Sequence, residues 1–185
     1  MATRIHVALL AAILVAAQPA HAGPFEDAIA AMRRFEYDRA VQLLAPLAAS
    51  GHAGAQRELG MSYLFGFGVA RDAAKALALL ESAADLGDPD AMNNLGTVYA
   101  EGWTGQKDGA KAILWYSKAA DKKFIYAYES LGSLYAEGTL VPKDLVQAYR
   151  WLALGAKAGS TMAELRMKEV AKQMTPAQLE EARRE

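Results

Sequence analysis

Side-chain catalysis needs a nucleophile beside a base, or several donors around a metal, and the sequence offers little of either. There is no cysteine, so a thiolate nucleophile, a disulfide and a cysteine-based metal site are all excluded. Of the 3 histidines, His6 and His21 fall early in the chain and His52 stands alone beyond them. A Ser-His-Asp arrangement would have to use His52, with only scattered Ser and Asp to complete it. His52 follows Gly51 in what reads as a turn, so a surface position is expected. One imidazole cannot build a zinc site. There is no Gly-Lys dipeptide for a phosphate-binding loop and no G-x-G-x-x-G fingerprint. The acidic pairs Asp88/Asp90 and Glu180/Glu181 read as a solvated helix start and a solvated tail. No enzyme, cofactor or metal is expected.

Aromatic residues are the other chemical candidates. Tyr63, Tyr99 and Tyr135 could stack on sugars or bases, but they recur at one spacing and are expected to be core, as are Trp115 and Trp151. Trp103 differs. It occupies a loop at a non-repeated position, where both loop packing and partner contact are open.

These spacings belong to a repeat of 36 residues. Ala55–Asp90, Ala91–Tyr126 and Ala127–Met162 align without gaps, and eight columns are invariant. They are Ala55/Ala91/Ala127, Leu59/Leu95/Leu131, Gly60/Gly96/Gly132, Tyr63/Tyr99/Tyr135, Gly66/Gly102/Gly138, Asp72/Asp108/Asp144, Ala76/Ala112/Ala148 and Ala84/Ala120/Ala156. Each unit reads as two helices. Ala91, Leu95 and Tyr99 fall on one face of the first. Gly96 beside that stripe costs a helix roughly 1 kcal/mol, so its recurrence predicts a close helix–helix approach. Gly102 ends the helix. Asp108 is placed to cap the second helix, whose expected buried stripe is Ala112, Trp115, Ala119 and Ala120.

The flanks follow the same plan. Residues 23–54 form an N-terminal partial repeat, with helices expected at Pro24–Arg34 and Asp38–Ser50. Residues 55–162 are the three full repeats, and 163–185 are capping helices. Thr161–Gln173 takes the place of a fourth first helix, with Lys168 where the Gly should be. Thr175-Pro176-Ala177-Gln178 is a capping box, and the charged helix after it, Pro176–Glu185, is expected to be solvated.

Residues 1–22 read as a signal peptide. Arg4 and His6 form a basic head, Val7–Ala17 is an apolar run too short to span a bilayer comfortably, and Ala20-His21-Ala22 offers a small-x-small cleavage site. A mature protein starting at Gly23, periplasmic or secreted and without membrane insertion, is the expectation. The formal net charge of −1 gives no electrostatic case for nucleic acid.

The pattern A-x-x-x-L-G-x-x-Y-x-x-G, a short loop, Asp, then K-A and A-A, resembles the Sel-one-like repeat (SLR), a relative of the tetratricopeptide repeat. Leu59-Gly60, Tyr63, Gly66-Phe67-Gly68-Val69, Asp72, Lys75-Ala76 and Ala83-Ala84 carry it in the first unit. The later units depart from it at Trp103-Thr104-Gly105, at Thr139-Leu140-Val141 and at Lys123, which replaces a closing Gly. The resemblance implies an all-α, right-handed α/α superhelical solenoid that serves as a scaffold or adaptor for a protein partner. Some cysteine-rich relatives are associated with β-lactams, but S-x-x-K, S-D-N and K-T-G are absent here. The alternatives are a cell-envelope hydrolase acting on β-lactam or peptidoglycan material and a glycan-binding module using exposed aromatics.

A partner surface is expected where the first helices line a concave side. The positions beside the Ala-Leu-Tyr stripe are Arg57, Met61 and Leu64, then Asn93, Thr97 and Ala100, then Glu129, Ser133 and Ala136. They vary between units while their neighbours do not, as a recognition surface would, although ordinary surface residues would vary too. Trp103 is a second candidate at the loop edge.

Overall fold

A computed structural model describes residues 23–184. The signal-peptide segment lies outside the described residues. Within them the chain is an all-α solenoid of ten helices. The leading pair is α1 (Pro24–Arg33) and α2 (Tyr37–Ala49). The three full pairs are α3 (Ala53–Phe65) with α4 (Ala73–Asp85), α5 (Pro89–Glu101) with α6 (Gly109–Asp121), and α7 (Ile125–Glu137) with α8 (Leu145–Lys157). The closing helices are α9 (Thr161–Ala171) and α10 (Pro176–Ala182).

The repeated residues do their work at the ends and seams of these helices. Gly66, Gly102 and Gly138 close the first helices in the left-handed conformation, at φ 80°, 69° and 68°. Asp72, Asp108 and Asp144 then cap the second helices, each Oδ1 accepting the backbone N–H three residues on, at 2.9–3.0 Å. The same Asp donates its own N–H to the carbonyl of the repeat Tyr, at 3.0, 2.9 and 3.0 Å in units one, two and three. That bond fixes the loop and ties the Asp column to the Tyr column. Lys123, where a Gly was missing, adopts φ 61° and keeps the turn between units.

The Gly column is where the paired helices meet. A Cβ on Gly60 would lie 3.1 Å from Leu80 Cγ, and one on Gly132 would lie 2.5 Å from Leu152 Cγ. In the middle unit a Cβ on Gly96 would enter the ring of Tyr116. Leu80, Tyr116 and Leu152 share one repeat column. Each is buried and fits the notch its glycine leaves.

Three expectations need correcting. The buried aromatic of α6 is Tyr116, not Trp115. Trp115 is half-buried, with the Lys118 ammonium 4.0 Å from its ring centroid. Tyr63 and Tyr99 are likewise only half-buried, capped by Lys75 and Lys111. Lastly, α10 is charged but not merely solvated. It packs on α8 with Ala182 buried, and Arg150 donates to the Glu181 carbonyl at 3.0 Å.

Candidate functional site

Neighbouring first helices touch, α3 against α5 and α7 against α9, and at the closing end α10 packs on the second helix α8. In stacked helix pairs of this kind the first helices line the concave side. The variable residues predicted as a partner surface all lie on the first helices α3, α5 and α7, but one of them is not at the surface. Leu64 is core, 2 % exposed, in one cluster with Leu95 and Val98 of α5. Its face is covered by the neighbouring first helix, which a reading of a single helix does not include. Met61 is half-buried against the same core.

The polar members have partners instead of standing free, most of them in the next unit. Arg57 meets Asp88 at 3.4 Å and Asp90 at 3.8 Å, both at the start of α5, and Glu58 beside it at 3.2 Å. Glu129, 72 residues on, accepts a short bond from Ser160, which caps α9 and stands in the column of Asp88. In the middle unit that column holds Phe124, which offers no side-chain cap. There Asn93 accepts from Ser130 Oγ at 3.3 Å instead. Thr97 accepts from the Tyr116 hydroxyl at 3.1 Å, and Ser133 accepts from Arg166 of α9. Burial raises the Glu58 pKa, Asp88 and Asp90 raise it further, and Arg57 opposes them. Burial also raises the Tyr116 pKa, against its hydrogen bonding with Thr97 and Ser130.

Of the predicted set, Ala100, Glu129, Ser133 and Ala136 line open space. Two adjoining hollows of about 290 and 280 Å³ lie along α7, sharing Ser133, Glu137 and Arg166. The larger also takes in Glu101, Glu129 and Tyr126, whose ring is 62 % exposed. Glu137 has no ion-pair or hydrogen-bond partner for its carboxylate among the described residues. Tyr126, Glu137 and Arg166 were missed by the sequence argument. Tyr126 shares its column with Asp90 and Met162, so the same variability could have found it.

His52 is exposed, as expected, and it also caps a helix. Its Nδ1 accepts the Ala55 N–H at 3.1 Å, capping α3, and its ring lies 4.6 Å from that of Phe25. Trp103 meets Phe65 edge-on at 5.0 Å and stays 38 % exposed. Trp103 therefore packs in its loop and is left partly exposed. No group of three or more His, Cys, Asp or Glu among the described residues is placed to hold a metal ion. No described helix is long and apolar enough to cross a membrane.

Comparison with known proteins fits this geometry. The Sel1 repeat model matches residues 53–88, 89–124 and 125–160. A protective antigen present in uropathogenic Escherichia coli strains, displaying an SLR fold, superposes with a TM-score of 0.69 at 27 % identity, over 79 % of this chain and 32 % of that one. A Sel1 repeat protein from Oxalobacter formigenes gives 0.68 at 28 % identity, over 79 % of this chain and 62 % of that one. Helicobacter pylori cysteine rich protein B gives 0.50 at 21 % identity, over 78 % and 97 %, a likeness of fold alone. The chain thus spans less than two thirds of the first two proteins. No curated protein matches it. Sel1 repeat proteins are generally protein–protein interaction scaffolds and typically not enzymes. With three consecutive matched units on an α/α solenoid, the chain belongs to the Sel1 repeat family.

Proposed function

We propose that this protein is exported and holds a protein partner on its inner face, as an adaptor or regulator and not as an enzyme. The observation that carries the proposal is the pair of hollows along α7. The two hollows, about 290 and 280 Å³, adjoin along the helix as open depressions that side chains of a peptide can enter. An exposed Tyr126 and an unpaired Glu137 beside them are groups a peptide could engage. Export rests on the order of basic head, apolar run and Ala-x-Ala in residues 1–22.

The test is capture from a periplasmic extract with the intact protein. Tyr126→Ala with Glu137→Ala should lose the partner and keep the helical circular dichroism. Lys118→Glu, on a second helix, should retain it. The reverse pattern would put the binding face elsewhere. Mass spectrometry should find Gly23 first in the mature protein, and a protein that keeps Met1 in the cytoplasm would sink the export proposal. Turnover of a β-lactam or peptidoglycan fragment, abolished by one substitution, would overturn the non-enzymatic part.

A further inference from the structure

Five aromatic rings form an unbroken row along one edge of the solenoid. Phe35 stands in the turn after α1 and Tyr37 opens α2. Phe65 ends α3, Phe67 lies in the loop after it, and Trp103 lies in the loop after α5. Phe35 meets Tyr37 edge-on at 6.1 Å between centroids. Tyr37 stacks on Phe67 at 4.8 Å, Phe67 tilts against Phe65 at 5.7 Å, and Phe65 meets Trp103 at 5.0 Å. The row crosses three successive helix pairs and stops there. In the third full unit Glu137 and Thr139 stand where Phe65 and Phe67 would be.

Core formation does not account for these rings. Phe35 is 76 % exposed, and none of the five belongs to the buried core. Phe35 also holds φ at 63°, a conformation that favours glycine. It closes α1 by donating its N–H to the Met32 carbonyl, while the Glu36 N–H reaches the Ala31 carbonyl, both at 2.9 Å. The same motif closes α2, α4 and α8 around Gly51, Gly87 and Gly159. Phe35 departs from glycine in this turn as Lys123 does at the end of α6, but what it carries there is a large exposed ring. Gly68 lets its loop approach the α2 start so closely that a Cβ there would lie 2.5 Å from the Tyr37 carbonyl carbon.

The surroundings select the ligand. A recess of about 410 Å³ at the Phe35 end is lined by Phe35, Tyr37 and Gly68 with Glu36, Asp38 and Arg39. Arg39 is bonded to Glu36 at 3.1 Å, and Lys107 meets Glu101 at 3.4 Å near the Trp103 end. These two pairs cancel and Asp38 is the one carboxylate left over at this end among the described residues, so nothing calls for an anionic ligand. Asp38 has no side-chain hydrogen bond or ion pair among the described residues, and a carboxylate only accepts. A proline-rich segment brings carbonyl acceptors and no N–H at its prolines, which leaves Asp38 unmet. An apolar helix would strip water from the carboxylates and return nothing. A chain of sugars offers C–H faces to the rings and hydroxyl donors to Asp38 and Glu36.

We propose that this aromatic row is a platform for a neutral, linear oligosaccharide, distinct from the inner-face site. The probes are cellohexaose, maltohexaose and chitohexaose, with decaproline in parallel, added to the isotope-labelled full protein. The indole N–H of Trp103 is followed by NMR, its signal assigned by loss in Trp103→Phe. At least one hexasaccharide should shift that signal and bind roughly tenfold tighter than its own disaccharide. Phe67→Ala and Phe35→Gly should each weaken binding roughly tenfold. Phe35→Gly should also keep or raise the melting temperature, which separates a ligand contact from a structural ring. The proposal is overturned if no hexasaccharide moves the Trp103 signal at millimolar concentration, if decaproline moves it and the sugars do not, or if Phe35→Gly lowers the melting temperature and leaves binding unchanged.

Discussion

The contacts inside each repeat unit and those between units on the inner face follow different rules. Inside a unit the partners repeat. A glycine notch faces Leu80, Tyr116 or Leu152, and an Asp caps the second helix after bonding the repeat Tyr carbonyl. Between units the partners change together. Arg57 meets Asp88, Glu129 meets Ser160, and where Phe124 offers no cap Asn93 turns to Ser130. Variation along a repeat column is therefore not by itself the mark of a recognition surface. It also arises where each unit must match one particular neighbour.

The largest expected effect tests the repeated half of this comparison. Gly96→Ala would drive a methyl into the Tyr116 ring, whose hydroxyl is held by Thr97 and cannot tilt away freely. Overpacking of this kind costs about 1–3 kcal/mol, only partly offset by the roughly 1 kcal/mol helix gain of Ala over Gly. Gly60→Ala faces Leu80 at 3.1 Å, where a small shift suffices, and should be much milder. Urea unfolding of the two variants measures the difference. If Gly60→Ala proves as damaging as Gly96→Ala, the notch is not what the column is for.

Next comes the cap. Asp108→Ala removes the acceptor for the Lys111 N–H and should cost about 0.5–2 kcal/mol. Partner binding should persist. Unchanged melting with lost binding would make Asp108 a recognition residue.

The pairing between units should be weaker, and a double-mutant cycle isolates it. Arg57 and Asp88 are half-buried, which places their coupling between that of exposed and fully buried pairs, about 1 kcal/mol. Arg57→Ala, Asp88→Asn and the double variant, compared by thermal unfolding, should give that coupling. Additive effects would mean that the two columns vary independently.

How much of this was legible in the sequence follows the same division. The glycine notches, the Asp caps and the left-handed helix ends were readable because each recurs with one spacing and has one physical cause. The burial of Leu64 was not, because a helical wheel of α3 carries no information about α5 leaning on it. Arg57, Asn93, Glu129 and Ser133 were readable as variable positions of the first helices, but their partners lie about thirty residues or more away and follow no single spacing. The choice of Tyr116 over Trp115 turned on which of two adjacent residues met the glycine. The helical periodicity allowed both.

The smallest effect concerns Glu58, inside the Arg57 cluster. Its folded-state pKa is raised, by burial first and then by Asp88 and Asp90, with Arg57 opposing. The folded protein therefore holds this proton more tightly than the unfolded chain. The sign follows from linkage: Glu58 favours the fold below its ordinary carboxylate pKa, and that contribution is lost as pH rises through the raised folded value. At neutral pH the buried charge is a net cost. Glu58→Gln keeps the shape and removes the charge, and Arg57 retains Asp88 and Asp90. The variant should melt higher than the parent at pH 7, by roughly 1–3 °C for a chain of this size, and the gap should close toward pH 4. The opposite pattern, a loss of stability at pH 7, would mean that Arg57 needs the Glu58 charge more than the fold suffers from burying it. The seam between the first two units would then depend on all three carboxylates, and not on the Asp88 and Asp90 pairing alone.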